Sequence, residues 1–204
     1  MDKTAFYQLS YGLYLLTAKT PQRENGCIVN TVIQCASEPR RISVCVISRN
    51  LTCDMIKETG RFNVSVLPET TPFGLFRHYG MQSGRDRDKF AGDDATPTLA
   101  LNGIRYLPFA PAVFACRVVS SEELGSHTLF IAEVEEALRL NELPPATYAY
   151  YQANIKPKPE PVKPKTTVWR CKVCGYVYEG ETLPPDFECP LCHHGPEDFE
   201  LVSG

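Results

Sequence analysis

Along the first 155 positions apolar residues come in short runs, and polar or turn-forming residues interrupt them at close intervals. Residues 11–17 (YGLYLLT) and 26–33 (GCIVNTVI) are rich in β-branched and aromatic side chains and flank the turn-rich TPQREN, so both are predicted strands. Residues 42–48 (ISVCVIS) read the same way. Leu51, Met55 and Ile56 share one helical face behind Asn50, which predicts a helix over 51–59 with Asn50 as its cap. A strand over 62–67 and a short helix over 72–79 follow, then a polar stretch over 81–104 and two longer strands over 112–120 and 128–137. Many short strands with few helices predict a mainly β fold, an antiparallel barrel that is closed or nearly so.

The pattern breaks at residue 155. IKPKPEPVKPKTT (155–167) has Pro at every second or third position through most of its length, which rules out a helix or a central strand. Held extended at about 3.1 Å per residue, it spans roughly 40 Å as a semi-rigid linker. The expected organisation is a domain over 1–154, this linker over 155–167, and a small domain over 168–204.

Composition narrows the class. Hydrophobic residues make up 43% and charged residues 22% of 204, ordinary for a soluble globular chain. No apolar run approaches the roughly 18 residues that span a bilayer. The first residues carry Asp2 early and lack a small-residue cleavage site, so a cytoplasmic protein without a membrane anchor is expected. The net charge of −3 is uneven: residues 168–204 hold two basic and seven acidic side chains, while 156–167 hold four Lys and one Glu. No basic patch suggests nucleic acid, and the acidic tail fits docking to a protein with a basic face.

Nine cysteines divide into two kinds. Cys27, Cys35, Cys45, Cys53 and Cys116 are scattered, as core cysteines usually are, whereas Cys171, Cys174, Cys189 and Cys192 form two Cys-x-x-Cys pairs. Four soft thiolates in that spacing suit a tetrahedral iron or zinc centre. Gly175 supplies the open backbone needed after the second ligand. His193 and His194 follow the last ligand, but four cysteines already fill a tetrahedral site, so both are expected in solvent.

Upstream, two polar clusters lie in apolar surroundings. Asn30-Thr31 falls inside a predicted strand, and Ser48-Arg49-Asn50-Leu51-Thr52 bridges a strand to a helix start. Hydroxyls, amides and an Arg at a helix N-terminus make a phosphate site; simple capping by Asn50 or Thr52 is the plainer alternative. A third cluster, residues 82–92, offers Ser83, Gly84, Arg85 and Lys89 as donors, or is only a solvated charged loop.

The sequence Cys-x-x-Cys-Gly-Tyr-x-Tyr (171–178), then Cys-Pro-Leu-Cys (189–192) and Asp-Phe-Glu (198–200), resembles rubredoxin. The resemblance implies mononuclear iron on the four cysteines, beside an aromatic core of Trp169, Tyr176, Tyr178, Phe187 and Phe199. A zinc ribbon shares the ligand skeleton. The 14 residues between the two pairs match the short rubredoxin modules of rubrerythrins and high-molecular-weight rubredoxins. The order of 26–39, 48–52, Ser-Gly-Arg-Asp-x-Asp-Lys-Phe (83–90), Gly-Ser-His-Thr-Leu-Phe-Ile-Ala-Glu-Val (125–134) and Tyr-Ala-Tyr-Tyr (148–151) resembles the flavin reductase-like FMN-binding family. That family implies a split β-barrel, a homodimer, and FMN near the subunit interface. Carried over, Asn30 and Thr31 would meet the ribityl chain or ring edge; Ser48, Asn50 and Thr52 the phosphate, assisted by Lys89 and the Ser83–Gly84–Arg85 loop. His127 matches a family histidine near the flavin, in a catalytic or pocket-shaping place; a satisfied strand histidine is the plainer reading. Cys27 and Cys45 flank these strands and could line the flavin, with packing their simplest role.

Together the two halves resemble high-molecular-weight rubredoxins. The implied activity passes electrons from NAD(P)H through FMN to the four-cysteine iron, and on to a partner such as a flavodiiron protein that reduces O2 or NO. A passive carrier reduced by another protein, and a non-redox zinc-ribbon docking protein, are the alternatives.

Overall fold

The computed structural model describes residues 1–91, 98–158 and 168–203. It divides into two compact units, Met1–Pro157 and Lys158–Gly204. Most of the expected linker, residues 159–167, lies outside the described residues.

The first unit opens with a 3-10 turn, Lys3–Gln8, and its described residues form nine strands: β1 (Tyr14–Lys19), β2 (Glu24–Val29), β3 (Ile33–Ser37), β4 (Arg40–Ile47), β5 (Arg61–Val66), β6 (Leu99–Leu101), β7 (Ile104–Tyr106), β8 (Ala112–Glu123) and β9 (His127–Arg139). Helix α1 (Leu51–Thr59) joins β4 to β5, and α2 (Phe73–Gly80) follows β5. Seven strands form one antiparallel sheet in the order β2-β1-β5-β8-β9-β4-β3, and β6 and β7 make a separate hairpin.

One core cluster shows how this sheet is shaped. It joins Cys27 and Val29 of β2 with Val44 and Val46 of β4, although those strands lie toward opposite ends of the sheet. The sheet therefore curls around its core, and α1 closes one end through Cys53, Met55 and Ile56. The mainly β expectation holds, with one refinement: β2 and β3 are the two edges of an open ladder and are not bonded to each other. A second cluster lies on the outer face, where Leu15, Leu67 and Val113 meet Leu75, Phe76 and Tyr79 of α2. Leu15 and Leu16 point to opposite faces of β1 and both are fully buried. That two-sided cover explains why β1 reads as a continuous apolar run rather than an alternation.

The second unit is a three-stranded sheet, β11-β10-β12, made of β10 (Val168–Cys171), β11 (Val177–Glu179) and β12 (Phe199–Ser203). Phe187 is its hub, 4.7 Å from Tyr178, 5.4 Å from Phe199 and 6.5 Å from Tyr176 between ring centroids. Trp169 packs against the same small core with Cys171, Cys189 and Phe199. So few buried residues give a weak hydrophobic core, and a bound metal is the usual remedy at this size.

Candidate functional sites

In the second unit Cys171 ends β10, and the chain then turns back so that the Gly175 amide donates to the Cys171 carbonyl at 2.9 Å. Gly175 has φ 79°, where an L side chain is strained. The second pair repeats the turn: the His193 amide donates to the Cys189 carbonyl at 2.9 Å, and His193 has φ 57°. These matching turns bring the sulfurs of Cys171, Cys174, Cys189 and Cys192 within 4.8 Å of one another. His193 and His194 are exposed and outside that group.

The donor set fits a metal ion. Desolvation pushes the Cys189 thiol up, but the Leu191 and Cys192 amides donate to it and bring it down to about 6. Cys192 is pushed up to about 12 by desolvation and by its neighbouring sulfurs. Four thiolates so close repel one another, and a central cation lets all of them lose their protons together. Cys171 and Cys189 are buried, Cys174 is exposed, and Val173 and Leu191 beside the outer sulfurs are 54% and 68% exposed. A site with four cysteine ligands and one side near the surface suits electron transfer better than substrate chemistry.

The first unit contains a cleft of about 280 Å³ where β2, the end of β4, the start of α1, the end of α2 and the loop after it converge. Six expected flavin contacts line it: Asn50, Thr52, Ser83, Gly84, Arg85 and Lys89. Asn50 is the N-cap of α1 by backbone position, yet its side chain makes no capping bond. Burial pushes the Cys27 thiol up, and Thr52, the Lys89 charge and Asn50 oppose that push. Thr52 also accepts from Asn25 Nδ2 at 2.9 Å, and Gly84 lies against the same Asn25 amide.

The cations here have different partners. Arg85 pairs with Asp54 at 2.5 Å and donates to the Arg49 carbonyl at 3.3 Å. Arg23 donates to the Gly84 carbonyl. Lys89 is 2% exposed, and its ammonium donates to the Gly26 and Tyr79 carbonyls, both at 2.9 Å. Burial lowers its pKa. Lys89 thus staples the loop to β2 and α2.

The other four expected residues do not line this cleft. Thr31 Oγ1 donates to the Cys45 carbonyl at 2.9 Å and accepts from its amide at 3.2 Å, tying the β2–β3 turn to β4. Asn30 precedes it in that turn, half-buried. Ser48 lies 3.1 Å from Thr128 Oγ1 and donates to Glu123 at 3.3 Å. His127, half-buried opposite Ile47, has its Nδ1 2.8 Å from Ser126 Oγ. Asn25, Gln82 and Tyr79 line the cleft without having stood out in the sequence. A buried Asn inside a strand, beside Gly26, was the available signal for Asn25.

Known proteins divide along the same boundary. Residues 6–158 match the family model "Flavin reductase like domain", and residues 169–200 match "Rubrerythrin, rubredoxin-like domain". High molecular weight rubredoxin of Moorella thermoacetica is 35% identical, over 99% of this chain and 100% of that protein. Ferric-chelate reductase (NAD(P)H) of Archaeoglobus fulgidus is 37% identical over 78% of this chain and 93% of its own. The styrene monooxygenase flavin reductase of Pseudomonas putida S12 shares the fold at a TM-score of 0.62 and 23% identity, over 78% of this chain and 98% of that one.

Proposed function

The chain belongs to the flavin reductase-like domain family and carries a rubredoxin-like domain behind it, and from that premise we propose that it passes electrons from NAD(P)H through bound FMN to an iron held by four cysteines and on to a protein acceptor. Flavin-linked electron transfer is the activity that the two domains together support. The observation that carries the reading is the presence on one chain of a cleft with uncommitted helix-terminal groups and of a four-thiolate site with an exposed side.

FMN supplies the link between a two-electron hydride donor and a one-electron iron. The chain's part is to hold it. Asn50, Thr52 and the α1 amides offer donors at a helix N-terminus, and Ser83–Gly84–Arg85 approaches closely because Gly84 has no side chain. Asn30, Thr31, Ser48 and His127 would then serve farther from the cleft, His127 toward the nicotinamide. The thiolates of Cys171, Cys174, Cys189 and Cys192 hold the iron, and the exposed Val173 and Leu191 edge is where an acceptor approaches. A flavodiiron protein is the proposed acceptor, and a homodimer the proposed assembly. No helix among the described residues is long and apolar enough to cross a membrane, and a cytoplasmic location is part of the proposal.

The test is an anaerobic titration of purified protein with NADH and then NADPH, followed in the visible range. Flavin and iron–thiolate bands that bleach in turn support the relay. Bound flavin that neither nucleotide reduces would move the function to a passive carrier, and a colourless protein with stoichiometric zinc would end the redox reading.

A further inference from the structure

We infer that Arg49 is the side chain that selects a phosphorylated flavin, a role that rests on the flavin reading above. Arg85 is held by Asp54 and by the Arg49 carbonyl. Lys89 is buried with two carbonyls, and Arg23 is bound to the Gly84 carbonyl. The guanidinium of Arg49 is exposed, lines the cleft, and makes no bond or ion pair with another described residue.

The nearby acids are also engaged. Asp54 is paired with Arg85, and Glu123 with Lys57 at 2.5 Å. Arg49 is therefore an uncompensated positive charge at the mouth of the cleft, one residue before the N-cap of a nine-residue helix. Its peptide is fixed by the Arg85 bond, so the guanidinium is presented from an anchored backbone. A guanidinium beside free helix amides matches a phosphate dianion in charge and in donor geometry. The sequence resemblance pointed to Lys89 and the 83–85 loop as phosphate aids; the partners of Lys89 and Arg85 leave Arg49 as the cation with charge to spare.

FMN and riboflavin differ only in the phosphate, which makes them the probes. Apoprotein is titrated with each, and quenching of flavin fluorescence gives Kd for the wild type, Arg49→Gln, Arg49→Lys and Arg85→Gln. The expected result is that Arg49→Gln raises the FMN Kd about tenfold or more and leaves riboflavin within about twofold. Arg49→Lys should recover part of the loss, and Arg85→Gln, which loosens the loop, should weaken both flavins alike. Melting curves of the apoproteins should overlay for the Arg49 variants, since that side chain is exposed and its guanidinium bonds to no other described residue. Equal losses for both flavins, or no loss for FMN, would overturn the assignment while leaving flavin binding intact. A wild type that quenches neither flavin would remove the flavin reading and this inference with it.

Discussion

Adding one methyl group to Gly84 should cripple the cleft without unfolding the domain. A Cβ there would stand 2.3 Å from Asn25 Oδ1 and 2.5 Å from both Cγ and Nδ2. The Gly84 backbone is outside the left-handed region, so space alone forbids Ala. Asn25 cannot swing away cheaply, being 3% exposed and bonded through Nδ2 to Thr52. The loop must instead lift by about 1 Å to reach ordinary van der Waals separation. That movement strains the Arg23–Gly84 bond and the Arg85 contacts to Asp54 and Arg49. Overpacking of this kind costs about 1–3 kcal/mol. Since the loop can rise, the cost falls on ligand affinity more than on folding, and FMN binding should weaken roughly 5- to 150-fold. Fluorescence titration of the Gly84→Ala apoprotein measures this. Asn25→Ala makes room for the methyl, so the double variant should be non-additive by ~1 kcal/mol or more in favour of binding. Wild-type affinity in Gly84→Ala, or strict additivity in the pair, would refute the packing argument.

Three further outcomes are expected. Cys174→Ser should abolish the iron–thiolate band and output to an external acceptor while NAD(P)H still reduces the flavin; loss of both in stopped-flow traces would contradict two separable units. Burial holds the Cys116 thiol at about 12, against an unfolded value near 9, so the folded state keeps a proton that the unfolded state gives up. Stability should therefore fall as pH rises from about 9 toward 12, by at most ~1.4 kcal/mol per unit from this group, and urea titrations of Cys116→Ala should show a shallower fall. His193→Gly should relieve the strain at φ 57° and slow iron loss in guanidinium by an amount worth up to ~1 kcal/mol, whereas Gly175→Ala should hasten it; the same rate in all three proteins would discount the strain.

What could be read from the sequence follows how local each signal is. Helix α1 spans the expected 51–59 because its apolar face and its terminal Asn50 are adjacent in the chain. The metal cysteines come in pairs three residues apart, so each turn brings its own two sulfurs near and only one fold must bring the pairs together. The expected strand over 26–33 instead splits, ending β2 at Val29 and starting β3 at Ile33. Edge strand β3 escaped notice because most of its side chains are exposed, which leaves no alternation to detect. The paired β6 and β7, at the end of the expected polar stretch and just past it, were missed for a similar reason, each being only three residues long. Ser48 and Thr52 looked equivalent in the sequence. Which of them turns toward the cleft depends on Glu123 and Thr128, more than 70 residues away, and on Asn25, 27 residues away. Direction of that kind is set by tertiary pairing.

The unused cap of α1 has a consequence for the life of the protein in a cell. Side-chain capping usually contributes about 0.5–2 kcal/mol, and Asn50 makes no such bond but lines the cleft. A ligand anion at the helix start would supply the missing partner, so binding and folding share one set of amides. A ligand at 100 times its Kd adds about 2.7 kcal/mol to stability. If flavin is that ligand, its scarcity would let the helix end fray more often and make the chain an easier target for proteases. The abundance of the protein would then track the vitamin that it uses.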